Sequence, residues 1–545
     1  MDVIRSEDAV AKFAIGKEIY PELQRSLPPQ LPAFLSKQRW FGGKARRVLT
    51  AELADIIPIC SEALEALLLV ATVKYADGAE ESYAIPVSCA EERPPSGDFD
   101  SGSLRVEGRP NGKTLVLTEA LKNEEFLSAL LEMIRGEATM EGQKGSLHAL
   151  QTSAYPHLYP SSAGVLQPQP VRAEQSNSSI IYGDRLILKF FRRLEEGVNP
   201  DLEIGSFLTE KAHFPHIPQL AGSLEYRLRD GRQMVQGILQ AFIPNQGDAW
   251  RYTLRCLAEF YEDVAQHPAD AVPSDLGGIH SAQPQRGLPG YGGNSVGPYL
   301  QAAGLLAQRT AEMHLALASE PRDPAFHPEP FTMEFQQVLE RSVLELTARV
   351  FGQLREKRSS LPAEWSSKAD ELAGREHEIV RRFQTALSTP IHAMRTRIHG
   401  DFHLGQVLYT GSDFVIIDFE GEPARPLAER RIKRSPLQDV AGMLRSFHYA
   451  AFAPLLGENR LPAQDLRRLM SSAEAWNARV GNRFLADYFA TSGEASYLPR
   501  SRQETQSVLE LHLLEKAVYE LGYELNNRPT WVGIPLQGIS GLLAL

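Results

Sequence analysis

The sequence predicts an α+β protein of two lobes behind an N-terminal α+β cap, β-rich in its first half and mainly helical in its second. Three observations predict it. Apolar β-type runs separated by turn residues recur up to about residue 245. After Ala249 the apolar residues recur at helical spacing. Late in the chain, Ile398 to Pro423 reads IHGDFHLGQVLYTGSDFVIIDFEGEP, with acids and histidines crowded around a short apolar run.

The chain has 545 residues, enough for two to four domains at roughly 100–200 residues each. A hydrophobic share of 43% and a charged share of 23% are ordinary for a soluble globular protein. Net charge is −11, from 57 basic and 68 acidic residues, which argues against nucleic acid or an anionic membrane as partner. Cys60, Cys89 and Cys256 are odd in number and form no CxxC, so they are expected as buried small hydrophobes, not a disulfide framework or a zinc ribbon. The N-terminus MDVIRSEDAVAKFAIGKEIY has no apolar h-region. No run approaches the roughly 18 apolar residues of a bilayer span. A cytoplasmic protein is expected.

The cap is expected over 1–117. A short helix around Leu31–Lys37 precedes RWFGGKARRV, and apolar β-type runs follow from Leu67, Glu81 and Thr114. The turn signals YADG, RPPSGDFDSGS and GRPNG separate them. An intermediate and nucleotide-binding lobe is expected over 118–245. It opens with a helix, NEEFLSALLEMIR, and continues with the strand pieces SSIIYG and RLILKFFR, joined by a Gly183-Asp184 hairpin turn. A helix starts at Asp201, and QMVQGILQAFI returns as strand. The helical lobe is expected over 246–545 and ends in the long amphipathic helix SVLELHLLEKAVYELGYELNN. The glycines between Gly287 and Gly297 follow no strand, and Ser295 stands where GxGxxG needs glycine, so that stretch reads as an exposed loop.

His399, Asp401 and His403 alternate, as three metal ligands of a hydrolase on one strand face would. Gly400 and Gly405 suggest a loop instead, and a hydrolase leaves Gln406 and Asp418 unexplained. A packed polar corner would bury acids and histidines at a cost rarely met so many times together. Phosphoryl transfer uses them all. It needs a carboxylate to orient the attacking hydroxyl, hard oxygen ligands for Mg²⁺, and a cation on the nucleotide phosphates. Asp401 is followed five residues on by the amide of Gln406, the offset of base and amide in the catalytic loop of protein kinases. FVIIDFE then delivers Asp418 at a strand end, as a kinase delivers its metal-binding Asp.

The upstream half agrees. Lys189 lies mid-strand in LILKFFR, which is costly unless it meets an anion, and resembles the phosphate-contacting strand lysine of kinases; a surface-edge lysine is the plain alternative. Glu203 is its expected ion-pair partner, with Glu210 as the fallback. Ser176, Asn177 and Ser178, in a loop without glycines, can cover phosphates with hydroxyl, amide and backbone N–H groups. The strand Gln240–Ile243, with Gln240 and Phe242, stands where a kinase hinge binds adenine.

HGDxH suits both aminoglycoside and choline kinase relatives and maltokinases. The longer strings HGDFHLGQVL, DFEGEPARPLAERRIKRSPLQDVAGMLRSFHYAA, EQSNSSIIYG, NPDLEIGSFLTE, EKAVYELGYELNNRPTWVGIPL and QRWFGGKARRV resemble the maltokinases, over nearly the whole chain. The resemblance implies a bilobal, eukaryotic-protein-kinase-like fold, with ATP and Mg²⁺ as cofactors and maltose phosphorylated at C1. It implies Asp401 as catalytic base, Gln406 and Asp418 as Mg²⁺ ligands, and Lys189 on the nucleotide phosphates. It places His403, Glu420, Lys516, Tyr519 and Tyr523 toward the sugar. Residues 516, 519 and 523 also share one helix face by spacing alone, which suits a disaccharide or plain core packing. Arg425, Arg430 and Arg431 can steer phosphate or pair with Glu422 and Glu429, and Asp439 is expected to brace the catalytic loop. The family implies a possible association with trehalose synthase, and a monomer or homodimer is expected. The rivals are a kinase for another small hydroxylated acceptor and a non-catalytic nucleotide or sugar sensor.

Overall fold

The computed structural model describes residues 19–61, 64–91, 103–106, 114–171, 177–266, 296–456 and 463–544. Ser176, the RPPSGDFDSGS and GRPNG turns and the glycine-rich stretch before Val296 lie outside the described residues, apart from Ser103, as does the side chain of Cys60. Cys89 and Cys256 are half-buried, less than expected. The described residues fall into two compact units, one within Met1–Glu210 and Gln219–Ile243, the other within Lys211–Pro218 and Pro244–Leu545.

In the first unit, helix α1 (Leu31–Lys37) precedes a six-stranded sheet. Strands β1 (Val48–Ser61), β2 (Leu64–Tyr75) and β3 (Glu80–Glu91) form an antiparallel meander, and β4 (Leu104–Val106) and β5 (Leu115–Glu119) complete the order β1-β2-β3-β5-β4. Helix α2 (Glu124–Arg135) starts where the Asn123 side chain accepts from the Glu125 and Phe126 N–H groups, a satisfied N-cap. Its buried stripe Phe126, Leu127, Leu130, Leu131 and Ile134 packs on both sheets. The second sheet has seven strands in the order β6-β7-β12-β13-β10-β9-β8, with β6 Thr139–Glu141, β7 Gly145–Gln151, β8 Pro168–Pro170, β9 Asn177–Tyr182, β10 Leu186–Phe191, β12 Leu220–Leu228 and β13 Gln233–Ala241. Gly183, at φ +59°, makes the β9–β10 turn. After β10, β11 (Arg193–Leu194) crosses to pair with β3.

The two sheets share one apolar core: Ile57, Leu68 and Val70 pack with Leu147, Leu188, Phe190 and Leu239. A buried carboxylate joins them as well. Asp55 on β1 accepts from the backbone N–H groups of Gln143 (2.7 Å), Lys144 (3.0 Å) and Gly145 (2.8 Å) and from the Tyr226 hydroxyl (2.7 Å). The RWFGGKARR segment is structural. A Cβ on Gly43 would overlap the Tyr75 hydroxyl. The Arg46 guanidinium lies 3.8 Å above the Tyr75 ring, and Trp40 stacks on the guanidinium of Arg192.

The second unit is helical: α4 (Ala249–Gln266), α5 (Gly297–Leu317), α6 (Met333–Glu356), α7 (Leu437–Leu456), α8 (Ala463–Ser492) and α9 (Arg502–Asn527). Helix α7 is buried almost all round, and α9 begins with a Ser501 cap on the Glu504 N–H. A two-stranded hairpin, β14 (Val407–Tyr409) and β15 (Phe414–Ile416), is the small sheet that carries the acids. Among the described residues, no helix is long and apolar enough to cross a membrane.

Candidate active site

Strand β10 alternates: Leu188 and Phe190 enter the core, while Lys189 faces the other way. Its ammonium lies 3.2 Å from Asp201 Oδ2, and the Asp201 side chain is 1% exposed. Asp201 lies in the first turn of α3 (Pro200–Glu210) together with Glu203, the expected partner, and its N–H donates to Asn199 Oδ1 at 2.8 Å. Glu210, the fallback, instead accepts from the Ser153 N–H and the Ser206 hydroxyl. Asn177 stands opposite Phe191 and Ser178 opposite Phe190, and Ser178 accepts from Arg192 Nε at 2.9 Å. Gln240 pairs with Ile187, and the Phe242 N–H donates to the Arg185 carbonyl at 2.7 Å.

The loop of the second unit that carries Asp401 is built from below by α7. Asp439 is fully buried and accepts from the N–H groups of His399 (2.7 Å) and Gly400 (2.9 Å), and from His314 Nε2–H (3.1 Å). Burial alone would raise its carboxyl pKa, but the His314 bond, His399 and the Gly400 N–H outweigh it and hold it below the usual range. Asp439 is thus a brace, as its sequence position suggested. Gly442 lies directly beneath the loop, where a Cβ would stand 2.6 Å from the Phe402 carbonyl oxygen. Ser446 accepts from the Leu404 N–H at 3.1 Å.

Asp401, Gln406 and the strand end before Asp418 are tied together by hydrogen bonds through the backbone. The Gln406 carbonyl accepts from the Ile417 N–H (3.0 Å), and His399 Nε2–H donates to the Ile417 carbonyl (2.9 Å). His399 Nδ1 is then free to accept from the Asp401 N–H, at a long 3.4 Å. Asp418 follows at φ +69°, a left-handed conformation that costs a non-glycine residue of order 1 kcal/mol and is concentrated at functional sites. Amide and carboxylate oxygens are the hard donors Mg²⁺ takes, so Gln406 and Asp418 fit that ion by chemistry.

Helix α9 supplies the other wall. Lys516 Nζ lies 3.5 Å from Asp401 Oδ1, so this residue, expected on the sugar, reaches the base itself. Burial works against its charge, yet Asp401, Glu520 and Glu422 prevail and raise its pKa. His403 Nε2 is 3.9 Å from Asp401 Oδ2, and His403 Nδ1 accepts from the Gly405 N–H. Burial, with Lys516 and His399 nearby, lowers the His403 pKa against the pull of Asp401 and Asp418. Tyr519 donates to Glu422 Oε1 at 2.9 Å. Asp401, Lys516, Tyr519, Glu422, Arg425, His512 and Glu515 line one cavity of about 60 Å³, room for a few hydroxyl-sized groups.

Tyr523 does not join them: it is 46% exposed and is not among the cavity-lining residues. Arg430 braces a turn by donating to the Arg425 carbonyl, and Arg425 stands 4.0 Å from Glu515, not Glu422. Glu420 is half-buried in the turn after Asp418. Glu422, His512 and Glu515 were missed as cavity residues, although His512 sits one turn before Lys516 and Glu515 directly before it on the same helix.

Together these elements define a protein-kinase-like fold with an N-terminal β cap and a helical C-terminal region. Residues 34–121 match the family model of the maltokinase N-terminal cap domain. Glucosamine kinase of Mycolicibacterium smegmatis is 26% identical over 385 residues, 69% of this chain and 79% of that protein. Glucosamine kinase of Streptacidiphilus jiangxiensis is 23% identical over 390 residues, 70% of this chain and 75% of that protein. A solved glucosamine kinase, in complex with glucosamine, ADP and inorganic phosphate, superposes with a TM-score of 0.55 at 18% identity, covering 90% of this chain and 93% of that one.

Proposed function

We propose that this chain is an ATP-dependent sugar kinase that transfers the γ-phosphate of ATP to the C1 hydroxyl of maltose, giving maltose 1-phosphate and ADP. The observation that carries it is Asp401 beside Lys516 and Tyr519 in one cavity, on a loop where the backbone carbonyl of Gln406, five residues on, accepts from the Ile417 N–H just before Asp418. The match of residues 34–121 to the maltokinase cap is consistent with maltose as the sugar.

In this reading Asp401 orients the C1 hydroxyl and takes its proton as the oxygen attacks the γ-phosphorus. The bond from phosphorus to the bridging oxygen breaks, and ADP leaves with that electron pair. Lys189, set by Asp201, holds the nucleotide phosphates, with Asn177 and Ser178 beside it on the neighbouring strand. Gln240 and Phe242 border the adenine. Gln406 and Asp418 would hold Mg²⁺, which neutralises phosphate charge when bound. Lys516 fixes the Asp401 carboxylate, and Tyr519 and Glu422 meet sugar hydroxyls.

Glucosamine is the second reading. It is favoured by the activity named for the two curated relatives and by two carboxylates, Glu422 and Glu515, on the cavity wall. The test is ADP release by the purified protein with ATP and Mg²⁺ and with maltose, glucose, trehalose, glucosamine, choline or an aminoglycoside. Release with maltose, together with loss of the reducing end, supports the first reading. Release with glucosamine alone replaces it, and silence with every sugar refutes both.

A further inference from the structure

His512 has no role in the scheme above, yet it lies on the wall of the acceptor cavity and is 3% exposed. Its Nδ1 lies 3.0 Å from Glu515 Oε2. Burial pushes the Glu515 carboxyl up, but His512, Arg434 and Arg425 outweigh burial and hold it below the usual range, so it is ionised near neutral pH. An ionised carboxylate can only accept. Nδ1 therefore carries the hydrogen, and in the neutral ring Nε2 is left as an acceptor. That Nε2 is buried and has no hydrogen-bond partner among the described residues. A buried acceptor without a partner is destabilising, and such groups are uncommon in folded proteins.

Several other polar groups around this cavity are engaged. Asp439 takes three donors, Glu422 takes Tyr519, and Lys516 meets Asp401. From this contrast we propose that His512 is a specificity residue of the acceptor site, whose Nε2 accepts a hydrogen bond from one hydroxyl of the bound sugar while Glu515 fixes the ring's tautomer and angle. This rests on the sugar-kinase reading. It goes beyond it by naming a recognition group on the α9 turn below Lys516. It also specifies polarity: the sugar must present a donor there, and an analogue lacking that one hydroxyl restores the unmatched acceptor.

The experiment measures kcat/KM for the acceptor sugar and for analogues that each lack one non-reacting hydroxyl of the phosphorylated ring, in wild type, H512L and H512Q. Thermal melts confirm folding. H512L should lose about 10- to 100-fold in kcat/KM for the parent sugar, with the KM for ATP unchanged. One deoxy analogue should be as poor for wild type as for H512L, because the interaction is already gone. H512Q, which can place an amide oxygen near the Nε2 position, should regain part of the loss. An equal loss for parent and every analogue, or no loss, overturns the proposal and leaves His512 as a packing group or the partner of a buried water. If H512L does not fold, the same comparison on H512Q decides. Silence of the wild type with every sugar refutes the sugar-kinase reading itself, and the proposal falls with it.

Discussion

Asp439→Asn tests whether the base is placed by α7. The carboxylate takes three donors: His399 N–H at 2.7 Å, Gly400 N–H at 2.9 Å and His314 Nε2–H at 3.1 Å. Asparagine keeps one oxygen. Placed at Oδ2 it still serves His399 and His314, but its NH₂ then faces the Gly400 N–H. At least one charge-assisted bond is lost and a buried donor is left unmatched, about 3 kcal/mol in sum. Native-state hydrogen exchange at the His399 and Gly400 amides should then be about 100-fold faster, and kcat should fall while the KM for ATP holds. The pH dependence has a definite sign. The folded carboxyl is held below its unfolded value of about 3.9, so its contribution is present above that value and is lost as pH falls through the lower folded one. The stability gap between wild type and variant should be flat from pH 8 to pH 5 and close below about pH 4. Exchange changed by less than threefold, or a gap that widens in acid, would refute the brace.

Asp401→Asn should lower kcat by about 10²–10⁴-fold with an unchanged melt, measured by ADP release; near-normal turnover defeats the base assignment. Gly442→Ala should destabilise by about 1–3 kcal/mol in urea unfolding and lower kcat, because the added Cβ meets the Phe402 carbonyl at 2.6 Å. Lys189→Met and Asp201→Asn should each raise the KM for ATP, and in a double-mutant cycle their effects should fall short of additive; strict additivity breaks the pairing. Lys516→Met should shift the ratio of kcat/KM for maltose over glucosamine toward glucosamine by at least tenfold; a constant ratio removes Lys516 from acceptor choice.

The β elements were legible because alternation and turn residues act locally: Gly183-Asp184 makes its hairpin, and Leu188 and Phe190 enter the core while Lys189 does not. The loop was legible because its chemistry is compressed into one stretch, His399 to Asp418. Partnerships across sequence were not. Asp201 gave no signal as a partner of Lys189, because only the entry angle of α3, set at Asn199, brings it there. Tyr523 satisfies the same spacing rule as Lys516 and Tyr519, yet it is exposed. A helix buries an arc, and spacing gives the face without saying where the neighbouring loop ends. Glu515 and His512 gave no signal because their roles depend on each other.

Charge bears on the choice between the two proposed acceptors. A protonated amino sugar reacting at Asp401 would bring its ammonium close to Lys516, whose own charge is strengthened by Asp401, Glu520 and Glu422. Two such cations at about 4 Å repel by roughly 4 kcal/mol at an effective dielectric of 20. Glu422 and Glu515 offset part of that, although Glu422 already accepts from Tyr519, Glu515 meets His512, and Arg425 stands 4.0 Å from Glu515. Each carboxylate keeps lone pairs for a further donor, which an amine there shares with those partners. A neutral reducing sugar brings no second cation toward Lys516, and one of its hydroxyls can donate to His512 Nε2. The charge argument therefore supports the proposed maltose reading over the glucosamine one.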